Sequence, residues 1–475
     1  MSIKFGTDGW RAVISDTFTF ANLRLVSQAI ADYVREENSS DPSVVVGFDT
    51  RFLSDRYAAE VARVMAANQI QTWLARADTP TPAISYAVVN KKATAGVMIT
   101  ASHNAPRYNG LKMKASYGGS ATPDQNKRVE SLLDRNLETV HGPNLMDLDV
   151  ATRQGLITKF DPAWAYYEHL GVLLDLDVIS GGELRVVADG MYGSGRGCIA
   201  EMLTRSRTKV HNIRHEMNPG FGGIHPEPIA QHLGYLMSTI QAGHWDVGLA
   251  TDGDADRIGA VDARGNFVDP HRIFALVLRY LIEKRGGQGK VVRTVSTTRM
   301  VDRIAADHGL PVVETPVGFN HIADLMVANG VLMGGEESGG ISIKGHIPEG
   351  DGVLMGLLLL EVMAEAQAPL HVLVDDLLAK YGPAQYARTD MKLKRPVHKA
   401  DMVQMLLDNA PAAIDGVNID EIQTVDGVKY YLNDGSWLLI RPSGTEPVLR
   451  VYAEAPDDKR VAALLGFGEQ MAQRA

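Results

Sequence analysis

The chain has 475 residues, 45% of them hydrophobic and 22% charged, with a formal net charge of −10. That length exceeds one hydrophobic core and implies roughly three or four domains of about 100–150 residues. The acidic balance excludes a global basic footprint for nucleic acid, and no apolar run reaches the ~20 residues that a bilayer crossing requires.

The most apolar window, Val353 to Met363, is interrupted by Gly356 and Glu361. The single cysteine, Cys198, excludes an intrachain disulfide and fits reducing surroundings. Met1-Ser2-Ile3-Lys4 lacks the pattern of a signal peptide, so a cytoplasmic protein with no membrane or nucleic-acid partner is expected.

Phe5-Gly6-Thr7-Asp8-Gly9-Trp10-Arg11 reads as a tight turn presenting Arg11. Leu25, Ala29 and Tyr33 share one face of an amphipathic helix over 21–37. A buried-type strand at 44–48 follows, then a helix capped by Ser54, a strand at 71–74, a helix at 82–89 and a strand at 94–100. Another short strand spans 111–114, and Pro123 opens a helix to about 138. This alternation predicts a mainly parallel sheet covered by helices. The polar stretch from His141 to Asp149 marks a first boundary.

Beyond it come a helix over 161–174 and a strand over 184–188. Gly195-Arg196-Gly197-Cys198-Ile199-Ala200 fits G-x-G-x-x-A, but its glycines begin several residues after the strand, so a strand-to-helix turn is expected rather than a dinucleotide site. Cys198 reads as a packed thiol on the following helix. The strand at 245–250 ends in Thr251-Asp252-Gly253-Asp254-Ala255-Asp256-Arg257, and Val331-Leu332-Met333 leads into Gly334-Gly335-Glu336-Glu337-Ser338-Gly339-Gly340. After Pro369 the pattern becomes α+β, with a helix over 371–380, strands near 388–393, 437–440 and 448–453, and helices at 401–408 and from 457. The expected architecture is α/β: three similar domains with mainly parallel mixed sheets, 1–148, 149–256 and 257–368, plus a smaller C-terminal α+β domain, 369–475, around a central cleft.

Four loops carry chemistry. The apolar run Val97-Met98-Ile99 stops at Thr100-Ala101-Ser102-His103-Asn104, the strand end where α/β sheets meet ligands. Ser102 is therefore either a nucleophile or phosphate acceptor, or part of a turn that uses local hydrogen bonds. Asp252, Asp254 and Asp256 alternate, so in an extended loop their carboxylates would share a side; crowding them without a cation is costly, and hard divalent cations take such ligands. An EF-hand is excluded because its glycine and glutamate positions hold Arg257 and Ala263. Arg441-Pro442-Ser443-Gly444-Thr445 offers a guanidinium fork, two hydroxyls and backbone N–H groups to an anion. Glu336 and Ser338, between glycines, suit vicinal sugar hydroxyls.

The order and domain-sized spacing of these loops, from Phe5-Gly6-Thr7 to the end of the chain, resemble the α-D-phosphohexomutase superfamily of phosphoglucomutases and phosphomannomutases. Thr315-Pro316-Val317-Gly318-Phe319 and Glu336-Glu337-Ser338 look most like bacterial phosphoglucomutases. The chain departs from the family pattern at Ala105, Asn320 and Gly340, which bears on the sugar and not on the reaction.

The resemblance implies interconversion of hexose 1-phosphate and hexose 6-phosphate, with glucose preferred. Phosphoserine 102 would serve as donor and glucose 1,6-bisphosphate as intermediate and activator. It implies one Mg²⁺ held by Asp252, Asp254, Asp256 and a phosphoserine oxygen. Arg11, His103, Lys112 and Arg257 would surround the reacting phosphate, with Lys112 the candidate for proton transfer. Gly318, Glu336 and Ser338 would hold the sugar, and Arg441, Ser443, Gly444 and Thr445 the other phosphate. The partner would be a small-molecule sugar phosphate, and the enzyme a monomer or homodimer. A sugar phosphatase is the nearest rival, and a non-catalytic phosphosugar sensor the rival outside enzymes.

Overall fold

The computed structural model describes residues 3–6, 9–393, 398–442 and 448–473. Its strands form four sheets, one after another along the chain.

The first sheet contains β1 (Trp10–Val13), β2 (Ser43–Phe48), β3 (Gln71–Ala75), β4 (Ala95–Ile99), β5 (Tyr108–Ala115) and β6 (Ile157–Phe160), in the order β1-β5-β4-β2-β3-β6. β4, β2, β3 and β6 run parallel, and β5 returns antiparallel to β4. The second sheet contains β7 (Arg185–Asp189), β8 (Lys209–Ile213), β9 (Val247–Thr251), β10 (Ile258–Asp262) and β11 (Phe267–Val268), in the order β11-β10-β9-β7-β8. The third contains β12 (Lys290–Thr294), β13 (Val312–Thr315), β14 (Val331–Gly335) and β15 (Ile341–Ile343), in the order β13-β12-β14-β15. The fourth is antiparallel throughout: β16 (Gln385–Lys392), β17 (Ala413–Ile414), β18 (Val417–Gln423), β19 (Val428–Leu432), β20 (Trp437–Pro442) and β21 (Val448–Ala455).

The first three sheets share one device. In each, a parallel strand gives way through a polar loop to an antiparallel neighbour: β4 to β5, β9 to β10, β14 to β15. Those loops carry Ser102, Asp252–Asp256 and Glu336–Ser338, so the repeat expected from sequence has a topological basis. β9 and β14 are fully buried, which explains why they read as continuous apolar runs rather than alternating ones.

The expected boundaries need moving. β6 lies past 148 yet pairs with β3. β10 pairs with β9, so a cut at 256 would split a hairpin. The helix Leu370–Tyr381 buries Leu370, Leu373 and Leu377 in the same core as Phe274 and Ile304, and Tyr381 donates to Asp307 at 3.1 Å; it belongs with the third domain, and the last sheet starts at Gln385.

Ser54 is not a cap: Leu53 takes that position in a left-handed conformation, and the Ser54 hydroxyl donates to Asp49 at 2.9 Å. Cys198 opens a short helix and is buried, as expected. Among the described residues no single helix is long and apolar enough to cross a membrane. The apolar window forms the helix Gly352–Ala366, buried nearly throughout its length between the second and third domains.

Candidate active site

The serine loop is built around a cation. Arg51, whose side chain is fully buried, donates to the carbonyls of Asn104 at 2.6 Å, Ala105 at 3.0 Å, Tyr108 at 3.0 Å and Ser102 at 2.5 Å. Asp49 balances its charge at 3.2 Å, and the ring of Phe221 from the second domain covers it. With its carbonyls gathered on Arg51, the loop holds Ser102 at φ 51°, a left-handed conformation that costs a non-glycine residue of order 1 kcal/mol or more. The Ser102 amide donates to the Thr100 hydroxyl at 2.9 Å.

From this position the Ser102 hydroxyl donates to Oδ2 of Asp252 at 2.9 Å, with His103 Nδ1 3.4 Å away. Arg11 donates to the Asn104 side chain at 2.8 Å, which brings the N-terminal turn to the same loop. Burial, reinforced by the cations Arg257, Arg11, Lys112 and Arg51, pushes His103 well below its usual range, so its imidazole is neutral.

The three aspartates converge, with oxygens all within 4.8 Å of one another. They do so through a turn, with Ala255 left-handed at φ 60°, and not through the extended backbone expected from their alternation. Three neighbouring segments hold this turn by backbone. The Thr81 amide donates to the carbonyl of Asp254 at 2.8 Å, Gly253 donates to Pro226 at 3.1 Å, and Gly352 donates to Ala255 at 3.0 Å. The glycine turn that mimics a dinucleotide fingerprint also packs here: the Ser194 amide donates to the carbonyl of Gly253 at 3.0 Å.

Lys112 reaches Asp254 at 2.9 Å and Asp256 at 2.8 Å. Burial would raise Asp254, but Lys112 and the Thr81 hydroxyl, 2.6 Å away, hold it below the ordinary carboxylate range. Asp252 is pushed well up by burial and by its two carboxylate neighbours. Oδ1 of Asp254 and Oδ1 of Asp256 are buried without a hydrogen-bond partner. Crowded carboxylates with orphaned oxygens fit a hard divalent cation.

Arg257 leads out of this turn. Its amide donates to Asp252 at 3.2 Å, and its guanidinium lies 3.8 Å from both Glu227 and Asp256. Its charge also reaches Glu336, whose carboxyl burial and Glu337 push up to about 7 against the pull of Arg257. Glu336 accepts the Gly318 amide at 3.0 Å and the Ser338 hydroxyl at 3.4 Å, so the three expected sugar-binding residues stand together. Arg441 is largely buried, its Nε donating to Asp426 at 2.6 Å. Ser443, Gly444 and Thr445 lie outside the described residues.

Sequence reasoning missed Asp49, Arg51, Thr81, Glu227 and Asp426. For the first two a signal existed: Asp49-Thr50-Arg51 follows a strand just as the Ser102 loop does. Thr81, Glu227 and Asp426 act through contacts from distant parts of the chain, and no local pattern marks them.

Four family models match in register with these sheets. They are the phosphoglucomutase/phosphomannomutase alpha/beta/alpha domains I, II and III over residues 2–139, 165–265 and 269–381, and the C-terminal domain over 395–466. A "Phosphoglucomutase/phosphomannomutase" of Thermococcus kodakarensis is 30% identical, covering 100% of this chain and 99% of its own. A "Probable phosphoglucosamine mutase" of Methanopyrus kandleri is 31% identical, covering 98% and 96%. A crystal structure named as a phosphomannomutase, from Thermus thermophilus, superposes with a TM-score of 0.86 at 33% identity, covering 100% of this chain and 99% of that one. The chain is therefore a member of the phosphoglucomutase/phosphomannomutase family, the Mg²⁺-dependent phosphosugar mutases of the α-D-phosphohexomutase superfamily.

Proposed function

We propose that the protein interconverts hexose 1-phosphates and hexose 6-phosphates through a phosphoserine at Ser102 and a hexose 1,6-bisphosphate, with glucose phosphate as its preferred substrate. The observation that carries the reading is the Ser102 hydroxyl, 2.9 Å from Asp252 beside carboxylate oxygens that lack partners. The bond from phosphorus to Ser102 Oγ breaks as one forms to the free sugar hydroxyl. The bisphosphate then turns over in the cleft and returns its other phosphoryl group to Ser102.

Mg²⁺ on Asp252, Asp254, Asp256 and a phosphoserine oxygen would neutralise charge on the transferring group. Arg11, His103 and Arg257 surround that group, and Lys112 is proposed to pass the proton. Gly318, Glu336 and Ser338 orient the sugar, while Arg441 with Ser443, Gly444 and Thr445 grips the phosphate that does not react. A grip on that remote phosphate favours a mutase over a phosphatase. The enzyme would work in the cytoplasm as a monomer or homodimer, with glucose 1,6-bisphosphate as activator.

The loops at 315–319 and 336–338 support glucose. The relatives named as phosphoglucosamine mutases support a second reading, in which the 2-amino sugar phosphate is the substrate. The test compares glucose 1-phosphate, mannose 1-phosphate and glucosamine 1-phosphate as substrates, each with a trace of its bisphosphate. The highest kcat/KM for glucose 1-phosphate is expected; a clear preference for glucosamine 1-phosphate would replace the first reading by the second.

A further inference from the structure

We infer that Asp426 is a positioning residue that ties the phosphate-holding Arg441 and the sugar-holding Glu336 into one unit across the boundary between the third and fourth domains. What Arg441 and Glu336 hold rests on the function proposed above; the tie itself is a matter of geometry.

Asp426 is 3% exposed and lies just before β19. Its Oδ2 accepts Nε of Arg441 at 2.6 Å and also the amide of Val317, in the third domain, at 3.1 Å. The next amide along, that of Gly318, donates to Oε1 of Glu336 at 3.0 Å. Two successive peptide groups are thus bound to carboxylates from two domains. Their Cα atoms are fixed at about 3.8 Å apart, so neither can shift without the other.

The remaining contacts keep Asp426 in place. Its Oδ1 accepts Lys399 Nζ. Gly427, at φ 95°, packs so closely on β20 that a Cβ there would sit 2.4 Å from the carbonyl of Ile440. The turn therefore cannot drift from the strand that carries Arg441. Burial would raise the Asp426 carboxyl, yet Arg441 and Lys399 hold it below its ordinary range, so it stays charged.

Other bonds cross the same boundary, such as Lys429 Nζ to the carbonyl of Val295 at 2.6 Å and the Arg299 amide to Glu454 at 3.2 Å. Those bonds dock the domains at points away from the loop at 315–319. Through Asp426, docking of the fourth domain fixes the orientation of Glu336. Occupancy of the phosphate grip and order in the sugar site consequently favour each other, as linkage requires.

The test has two arms, applied to the full-length protein and its Asp426→Ala, Asp426→Asn and Glu336→Gln variants. Hydrogen exchange without ligand reads the amides of Val317 and Gly318. Both should exchange at least about tenfold faster in Asp426→Ala, at the low end of typical coupling between sites. Unchanged exchange at Gly318 would overturn the tie. The second arm is a double-mutant cycle on KM and kcat with glucose 1-phosphate. Asp426→Ala should raise KM about tenfold, and adding Glu336→Gln should worsen kcat/KM by no more than about twofold beyond the worse single variant. Fold-losses that multiply would show independent residues and overturn the inference. Asp426→Asn, which keeps shape and an acceptor oxygen, guards against a folding defect; it should show the same non-multiplying pattern with smaller losses, and multiplying losses there would also overturn the tie. If the wild type turned over none of the hexose phosphates, the proposed function would fall, and the exchange arm would still decide the tie.

Discussion

Gly253 sits directly against Ser102: a Cβ on Gly253 would lie 2.4 Å from the Ser102 carbonyl oxygen. The loop bearing the three aspartates is thus seated on the loop bearing the serine, and only a missing side chain allows that approach. Gly253→Ala should fold, at an overpacking cost of about 1–3 kcal/mol. A displacement near 1 Å should reduce kcat about 100-fold. Thermal unfolding and turnover measured on one preparation check this; full turnover would mean that the contact does not position the serine.

The orphaned oxygens of Asp254 and Asp256 make a prediction about metal. Chelation should abolish turnover, and Mg²⁺ should restore it. Mg²⁺ should also raise the midpoint of thermal unfolding, since a ligand bound only by the folded state stabilises it. Asp254→Asn should weaken Mg²⁺ binding by about tenfold or more, as loss of even an outer-shell partner does. Calorimetric titration reads the affinity without reference to activity.

Arg51 holds four carbonyls of the serine loop while balanced by Asp49. An ammonium has three donors and no planar fork, so Arg51→Lys cannot reproduce the set. It should lower kcat about 10- to 100-fold with a smaller change in KM, because the nucleophile loses its orientation. Arg51→Ala leaves Asp49 buried and unpaired, and should cost about 3–5 kcal/mol of stability. Chemical denaturation of both variants separates the two effects.

These cases show what the sequence made legible. Ser102, the aspartates, Glu336 and Arg441 were readable because each sits in a polar, turn-forming run at the end of an apolar strand, a local signal. The three-plus-one architecture was readable from alternation. Arg51 looked like an ordinary arginine, because its role depends on carbonyls far along the chain, at Ser102 and beyond. The boundaries failed for a related reason. β6 and β10 are short, and only pairing with strands already formed shows which sheet owns them. The helix Leu370–Tyr381 is amphipathic whichever domain it packs on.

Lys429 predicts a pH dependence of stability. Burial, reinforced by Arg293 and opposed by Glu314, lowers its ammonium to about 7, below the ordinary 10.5. The folded state then binds fewer protons than the unfolded state between those values. Its contribution to stability is present above the unfolded value and is lost as pH falls through the folded one. Trp437 and Tyr431 face the ammonium at 4.3 and 4.8 Å, so Lys429→Met should pack in its place. Relative to wild type, Lys429→Met should gain stability as pH falls from about 10 to about 7. Urea denaturation of both proteins at several pH values checks the sign; a difference that does not change with pH would place the Lys429 pKa near its ordinary value.

The central claim is that Ser102 carries the phosphoryl group and passes it to a sugar phosphate. Its most direct measurement uses protein radiolabelled at phosphorus, with the label mapped by peptide sequencing, then mixed with excess glucose 6-phosphate and Mg²⁺ and quenched at intervals. The account predicts label on Ser102 that moves into glucose 1,6-bisphosphate, and a Ser102→Ala variant that takes up no label and has lost about 10³-fold or more of its turnover. Label released only as inorganic phosphate, or near wild-type mutase turnover by Ser102→Ala, would contradict it.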